Sequence, residues 1–217
     1  MSEGVLKPEA ELRSVAIAEA TVVESIRNAL SKIVDVVREL HEALMDLSKG
    51  MVESVKVRSD RIWEAKRRVL DELRNYSTHF IRVRLGLENR DLYLDIFKEL
   101  RSLTSKLFDI SCLLKELAIQ SSPKSSSVSL AIDASKSIIE SAESIIDATM
   151  TLLDNPRGSA DLLERSFRSL NSLEATYRES LSEESQQMRE LLRSLLSFAR
   201  SLANISENLR WIALQRL

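Results

Sequence analysis

The sequence predicts an all-α protein, six long helices arranged as two tandem three-helix bundle repeats. Three observations carry that expectation. Only four glycines, three prolines and 5% aromatic residues occur among 217, too little turn chemistry for a β-sandwich or an α/β enzyme. Apolar residues recur at spacings of three and four in six separate stretches, the period of one helix face. A serine-rich joint, QSSPKSSSVS at 120–129, interrupts the chain near its middle.

The first stripe runs through Val22, Ile26, Leu30, Ile33, Val37, Leu40, Leu44 and Leu47. Pro8 followed by Glu9 and Glu11 suits a first helical turn, because proline's φ is preset and carboxylates oppose the helix dipole. Gly50 marks the end, with Lys49 beside the negative terminus. A second pattern covers about 60–85, through Ile62, Ala65, Val69, Leu73, Tyr76, Phe80 and Val83, before Gly86 and Asn89. The third alternates fours and threes through Ile96, Leu100, Leu103, Leu107, Ile110, Leu114 and Leu117.

Beyond the joint the pattern resumes. Ala131, Ala134, Ile138, Ala142, Ile145, Thr149 and Leu152 form a fourth stripe, closed by DNPRG. Leu163, Phe167, Leu170, Leu173, Tyr177 and Leu181 form the fifth. The sixth runs through Met188, Leu191, Leu195, Phe198, Leu202, Ile205, Leu209 and Ile212. Long helices with short connections pack as antiparallel bundles.

A shift of 105 places Ile33 on Ile138, Asp35 on Glu140, Ala43 on Ala148 and Met45 on Met150. A shift of 100 places Glu64 on Glu164, Arg68 on Arg168 and Leu73 on Leu173. For the third helix a shift of 98 places Leu107 on Ile205, Asp109 on Glu207 and Leu114 on Ile212. Offsets that drift by a few residues are what loop-length changes produce, so the joint is expected to connect the same unit twice. The expected units are 1–120, with 1–8 disordered, and 128–217, joined by a Ser/Pro linker at 121–127.

Charge excludes some functions. Net charge is −2, and residues 1–120 hold 20 basic and 20 acidic side chains. No concentrated positive surface is expected, and therefore no nucleic-acid partner. The densest basic stretch is KVRSDRIWEAKRR, Lys56 to Arg68; a solvated helix face is the expectation there, with docking of an acidic partner or anionic lipid as the alternative. Cys112 is the single cysteine, which rules out an internal disulfide framework and is expected to be a partly buried small apolar residue. No stretch has the length and apolarity of a membrane span, and MSEGVLKPEAELR lacks a secretory signal's basic start and apolar run. A cytoplasmic protein is expected.

No catalytic constellation stands out, and an enzyme is not expected. His41 and His79 belong to no Glu-x-x-His arrangement, which a carboxylate-bridged diiron bundle requires on two helices. No glycine-rich phosphate loop occurs. The polar positions that draw attention are Ser105 and Asp109, one turn apart on the third helix, and Ala203 and Glu207 on the sixth. Their two readings are a solvated stripe beside the core and the remnant of a metal-binding carboxylate pair. Trp63 and Trp211 are expected in the core, with a subunit contact as the alternative.

SKLFDISCLLK (Ser105–Lys115) and ANISENLRWIA (Ala203–Ala213) resemble the third-helix signatures of the PhoU-like phosphate-uptake regulators, a family that includes the accessory proteins of Pit-type phosphate transporters. Those signatures read E-R-I-A-D-H-A-x-N-I-A in style, and the resemblance spans about residues 15–215. It implies two three-helix repeats and a multinuclear metal site built on the glutamate and aspartate of each signature. Here the glutamate positions are Ser105 and Ala203, while the aspartate stays as Asp109 and becomes Glu207. No cofactor is therefore expected, and binding of a divalent ion or iron is expected to be weak or absent. Any metal would fall first to Asp109 and Glu207, helped by Asp71 or Glu64.

The expected function is a cytoplasmic regulator or accessory protein of phosphate transport or phosphate-responsive signalling. It would dock on the cytoplasmic face of a transporter or on a sensor kinase, with exposed polar positions of the first and fourth helices as the contact. Membrane association is expected only through that partner, and homo-oligomers are expected. The alternative is a helical scaffold or ESCRT-like membrane-remodelling subunit unrelated to phosphate. Its usual basic first half is missing from this chain.

Overall fold

A computed structural model describes residues 8–120, 125–178 and 185–217. They form α1 (Pro8–Ser48), α2 (Val52–Val83), α3 (Arg90–Gln120), α4 (Ser125–Thr151), α5 (Pro156–Arg178) and α6 (Gln186–Leu214). One 3-10 turn, Arg84–Gly86, precedes α3, and no strand occurs among the described residues. The protein is an all-α helical bundle.

Local chemistry sets the helix ends. Gly50 takes φ of +70°, donating to Leu47 O at 3.0 Å while Met51 N donates to Asp46 O at 2.9 Å. These two bonds cap the last carbonyls of α1 and reverse the chain within three residues. That economy lets α2 begin at Val52, eight residues before the apolar pattern at Asp60, with Val55 and Ser59 continuing its buried face. At the start of α5, Asn155 Oδ1 accepts from Gly158 N at 3.1 Å, and Pro156 takes the first helical position.

Two expected boundaries need correction. Pro8 already belongs to α1, and Ser125–Ser127 belong to α4 rather than to the linker, since serine is well suited to a helix start. Residues 1–7 and 121–124, which carry the rest of the expected disorder and linker, lie outside the described residues. So does Leu181 of the fifth stripe.

Consecutive helices alternate in direction. Phe80 of α2 packs on Phe97 of α3 with centroids 5.3 Å apart, and Ser206 of α6 reaches Leu163 O of α5 at 2.8 Å. α1 also lies along α4, and α3 along α6. His41 meets Ser135 at 2.8 Å while Arg38 meets Glu143 at 2.6 Å, so α1 and α4 are antiparallel. Thus α1, α3, α4 and α6 form a four-helix centre, with α2 against α1 and α3, and α5 against α4 and α6.

Burial follows this arrangement. Every residue of the first, third, fourth and sixth stripes is buried, because those helices have neighbours on several sides. In the flanking helices Ala65, Tyr76, Val83 and Phe167 are only half-buried. A buried leucine or isoleucine contributes roughly 1.5–3 kcal/mol relative to exposure, so the four central stripes dominate stability.

Candidate functional site

The signature positions split by exposure. Ser105 and Asp109 project from α3 into solvent, whereas Ala203 is 1% exposed within the core. Glu207 is half-buried on α6. The helices that carry them run antiparallel: Asn204 donates to Glu99 at 2.8 Å, and Lys106 donates to Ser197 O and to Ser201 Oγ at 2.8 and 2.6 Å. In that register Asp109 stands level with about residue 195 of α6, roughly 18 Å along the axis from Glu207. The two carboxylates are not brought together.

Their neighbours on the flanking helices are occupied or dispersed. Glu164, level with Glu207, accepts from Arg168 Nε at 2.7 Å through one oxygen and is ion-paired with Arg210 Nε at 2.8 Å through the other. Two guanidiniums on one carboxylate leave little negative potential to attract a cation. On α2, Glu64 and Asp71 are both exposed, and Asp71 stands 3.9 Å from Arg74. Among the described residues no group of three or more His, Cys, Asp and Glu side chains is placed to hold a metal ion.

Three polar clusters that the sequence did not single out are better formed. At the α1–α2 turn the buried Asp46 accepts from Ser54 Oγ and, at 2.8 Å, from Arg58 Nε. Arg58 also reaches Glu39 at 3.1 Å and Glu42 at 3.7 Å. The Ser54 hydroxyl, and then the Arg58 guanidinium, hold the Asp46 carboxyl below its ordinary range. At the other end of α1, the Tyr93 hydroxyl donates to Glu19 at 2.8 Å, and Arg216 pairs with the second oxygen. Burial, and then the Glu19 carboxylate, push the phenol well above its usual range.

Between α3 and α6, burial pulls the Lys106 ammonium below its usual range, and Arg200 adds to that. Each cluster joins two or three helices through groups that satisfy one another, an arrangement that fixes helix register. Single-helix patterning misses them because their partners lie 8–197 residues apart.

Several clefts lie outside the core among the described residues. One of 640 Å³ runs between α1 and α2 and is lined by Lys32, Asp35, Glu39, Arg61, Arg68 and Glu72 among others. Lys32 pairs with Glu72 across it. One of 390 Å³ lies between α1 and α4, and one of 210 Å³ lies beside the 3-10 turn, where Arg84 and Leu85 meet Asp91. Another, 190 Å³, lies between α4 and α5 over Ser141, Ser144, Ser166 and Ser169, with Glu140 and Arg165 at its edge. Trp63 and Trp211, expected in the core, are instead 41% and 47% exposed. Each sits beside its helix's stripe rather than on it. Cys112 is half-buried, as expected.

No helix among the described residues is long and apolar enough to cross a membrane. The chain matches no family model, no curated protein and no solved structure in the three comparisons made.

Proposed function

We propose that this protein is a cytoplasmic regulator or accessory protein of phosphate transport or phosphate-responsive signalling, acting by docking on a transporter or sensor kinase. One observation carries the reading. The α3 and α6 segments SKLFDISCLLK and ANISENLRWIA resemble the paired signatures of PhoU-like regulators, in six helices of the corresponding order. The two helix triples are read as tandem copies of one unit. In support, the pairings α1–α2, α2–α3 and α1–α3 have counterparts in α4–α5, α5–α6 and α4–α6.

Docking fits the molecule better than catalysis does. Most of its buried hydroxyls and several charged groups bond to helix carbonyls or to one another, and its clefts are grooves between neighbouring helices. A partner that contacts the bundle differently in its two states would have its equilibrium shifted by that difference in contact energy. Metal, if taken up, would meet a single signature carboxylate at each place, Asp109 or Glu207, and bind weakly.

The test is recovery of the tagged protein from detergent-solubilised native cells grown with and without phosphate. Co-purification of a phosphate transporter or sensor kinase, changing with phosphate, supports the reading. Recovery of membrane-remodelling machinery, or of the protein alone in both conditions, replaces it with a helical scaffold.

A further inference from the structure

We propose that the solvent face of α2, with the 3-10 turn after it, docks directly on an anionic lipid surface. Three apolar side chains stand out on that face: Trp63 is 41% exposed, Ile81 56% and Leu85 81%. Trp63, Arg67, Arg74, Ile81 and Leu85 follow at spacings of four, seven, seven and four. Those spacings return to one side of a helix, so the five form a line of about 33 Å. The buried face of α2, through Val55, Ile62, Val69, Leu73 and Phe80, is a separate stripe already used against α1 and α3. The exposed line has no partner in the bundle.

The charge beside this line is positive. Arg82 and Arg84 are exposed, and neither has an ion-pair partner among the described residues; Arg61 and Arg68 turn to the other edge of α2, into the cleft with α1. Arg67 lies over the Trp63 ring, 5.3 Å from its centroid. Of the acids on the same face of α2, Asp60 is engaged by Lys115 and Asp71 lies near Arg74, leaving Glu64; beyond the turn, Asp91 shares a cleft with Arg84 and Leu85. Basic and acidic side chains balance over residues 1–120, but not helix by helix. α1 carries four Lys/Arg against eight Asp/Glu, and α2 carries eight against five.

A lipid surface fits this chemistry better than an acidic protein does. The line carries exposed apolar groups near both ends. A headgroup layer accepts such a face at once: guanidiniums reach phosphates while tryptophan and leucine enter the acyl boundary. This contact differs from membrane association only through a partner, the expectation that came with the transporter-regulator reading. It stands on α2 alone, whether or not the phosphate reading holds.

The test is co-sedimentation of the full chain with vesicles of phosphatidylglycerol and phosphatidylcholine in equal parts, against phosphatidylcholine alone, at about 0.1 M salt. Binding is expected to the anionic vesicles only. Reversing charge on and beside the line (R67E, R74E and R82E together) is expected to weaken partition at least tenfold. The same reversal on α5 (R157E, R165E and R168E) is expected to leave it within twofold. The pair Ile81→Ser and Leu85→Ser is expected to abolish the binding that survives raised salt.

Circular dichroism checks that each variant is folded. A second readout needs no charge change: with Trp211→Phe, brominated lipid is expected to quench Trp63. Failure to sediment with anionic vesicles, equal loss from the α5 reversal, or an unquenched Trp63 overturns the proposal. Capture by polyglutamate without vesicle binding assigns the face to an acidic protein instead.

Discussion

The two flanking helices occupy equivalent places and are attached by different chemistry. α2 is tied to its neighbours by charge: Lys32–Glu72, Lys115–Asp60, and Arg58 with Glu39 and Asp46. α5 relies more on hydroxyls, with Ser159 donating to Ala148 O at 2.8 Å and Ser206 to Leu163 O at 2.8 Å. Arg210–Glu164 is its main cross-helix ion pair. Outside, α2 exposes Val57, Trp63 and Ile81, while no large apolar side chain is exposed on α5 among its described residues. Position in a bundle thus dictates the buried stripe and leaves the joining chemistry and the outer face free to diverge.

The largest expected effect would erase that contrast. Ile62→Ala on α2 and Leu163→Ala on α5 remove side chains that are 1% and 0% exposed. Each is expected to cost about 3 kcal/mol, because the apolar stripe anchors both flanks alike. Urea unfolding of the two variants checks this. A difference of more than about 2 kcal/mol would mean that the flanks do not share one type of core.

Next in size is Arg58→Ala, expected to cost about 2 kcal/mol by leaving the buried Asp46 carboxylate without its cation. The same cluster gives α2 a pH dependence. Asp46 has a folded-state pKa below its ordinary 3.8, so its contribution is complete above that value and is lost as pH falls through the lowered one. Thermal melts between pH 7 and pH 2.5 are expected to show a steeper acid loss in the parent than in Asp46→Asn. Parallel acid curves would show that the cluster does not titrate in this way.

Smaller again is Ser206→Ala, expected to cost about 1 kcal/mol through one lost interhelix hydrogen bond. Melting in low and high salt is expected to give the same difference, since no charge is involved. The smallest effect falls on Lys32→Ala, whose exposed pair with Glu72 is worth about 0.5 kcal/mol and should vanish in 1 M salt. Together the last two separate a salt-insensitive flank from a salt-sensitive one. If Ser206→Ala responds to salt and Lys32→Ala does not, the contrast fails.

Some features were legible early because their causes are local. The stripe from Val22 to Leu47 is buried throughout, since one helix's period places those residues on one face whatever packs there. Gly50 ends α1 because few other residues adopt its backbone angles without strain. The candidate metal positions fared differently. Ser105 and Ala203 align by number but face opposite environments, one in solvent and one in the core. Sequence spacing cannot report which side of a helix its neighbours will cover.

By itself, then, the sequence determined six amphipathic helices, their approximate ends and most of their buried faces, all consequences of 3.6-residue periodicity and turn chemistry. Only the tertiary structure decided that α2 and α5 flank a four-helix centre and that Asp109 and Glu207 stand apart. It also sorted Arg58, spent on Glu39 and Asp46, from the exposed arginines of the α2 face. Whether a charge is spent or free depends on a partner far away in the chain, and that pairing exists only once the helices have packed.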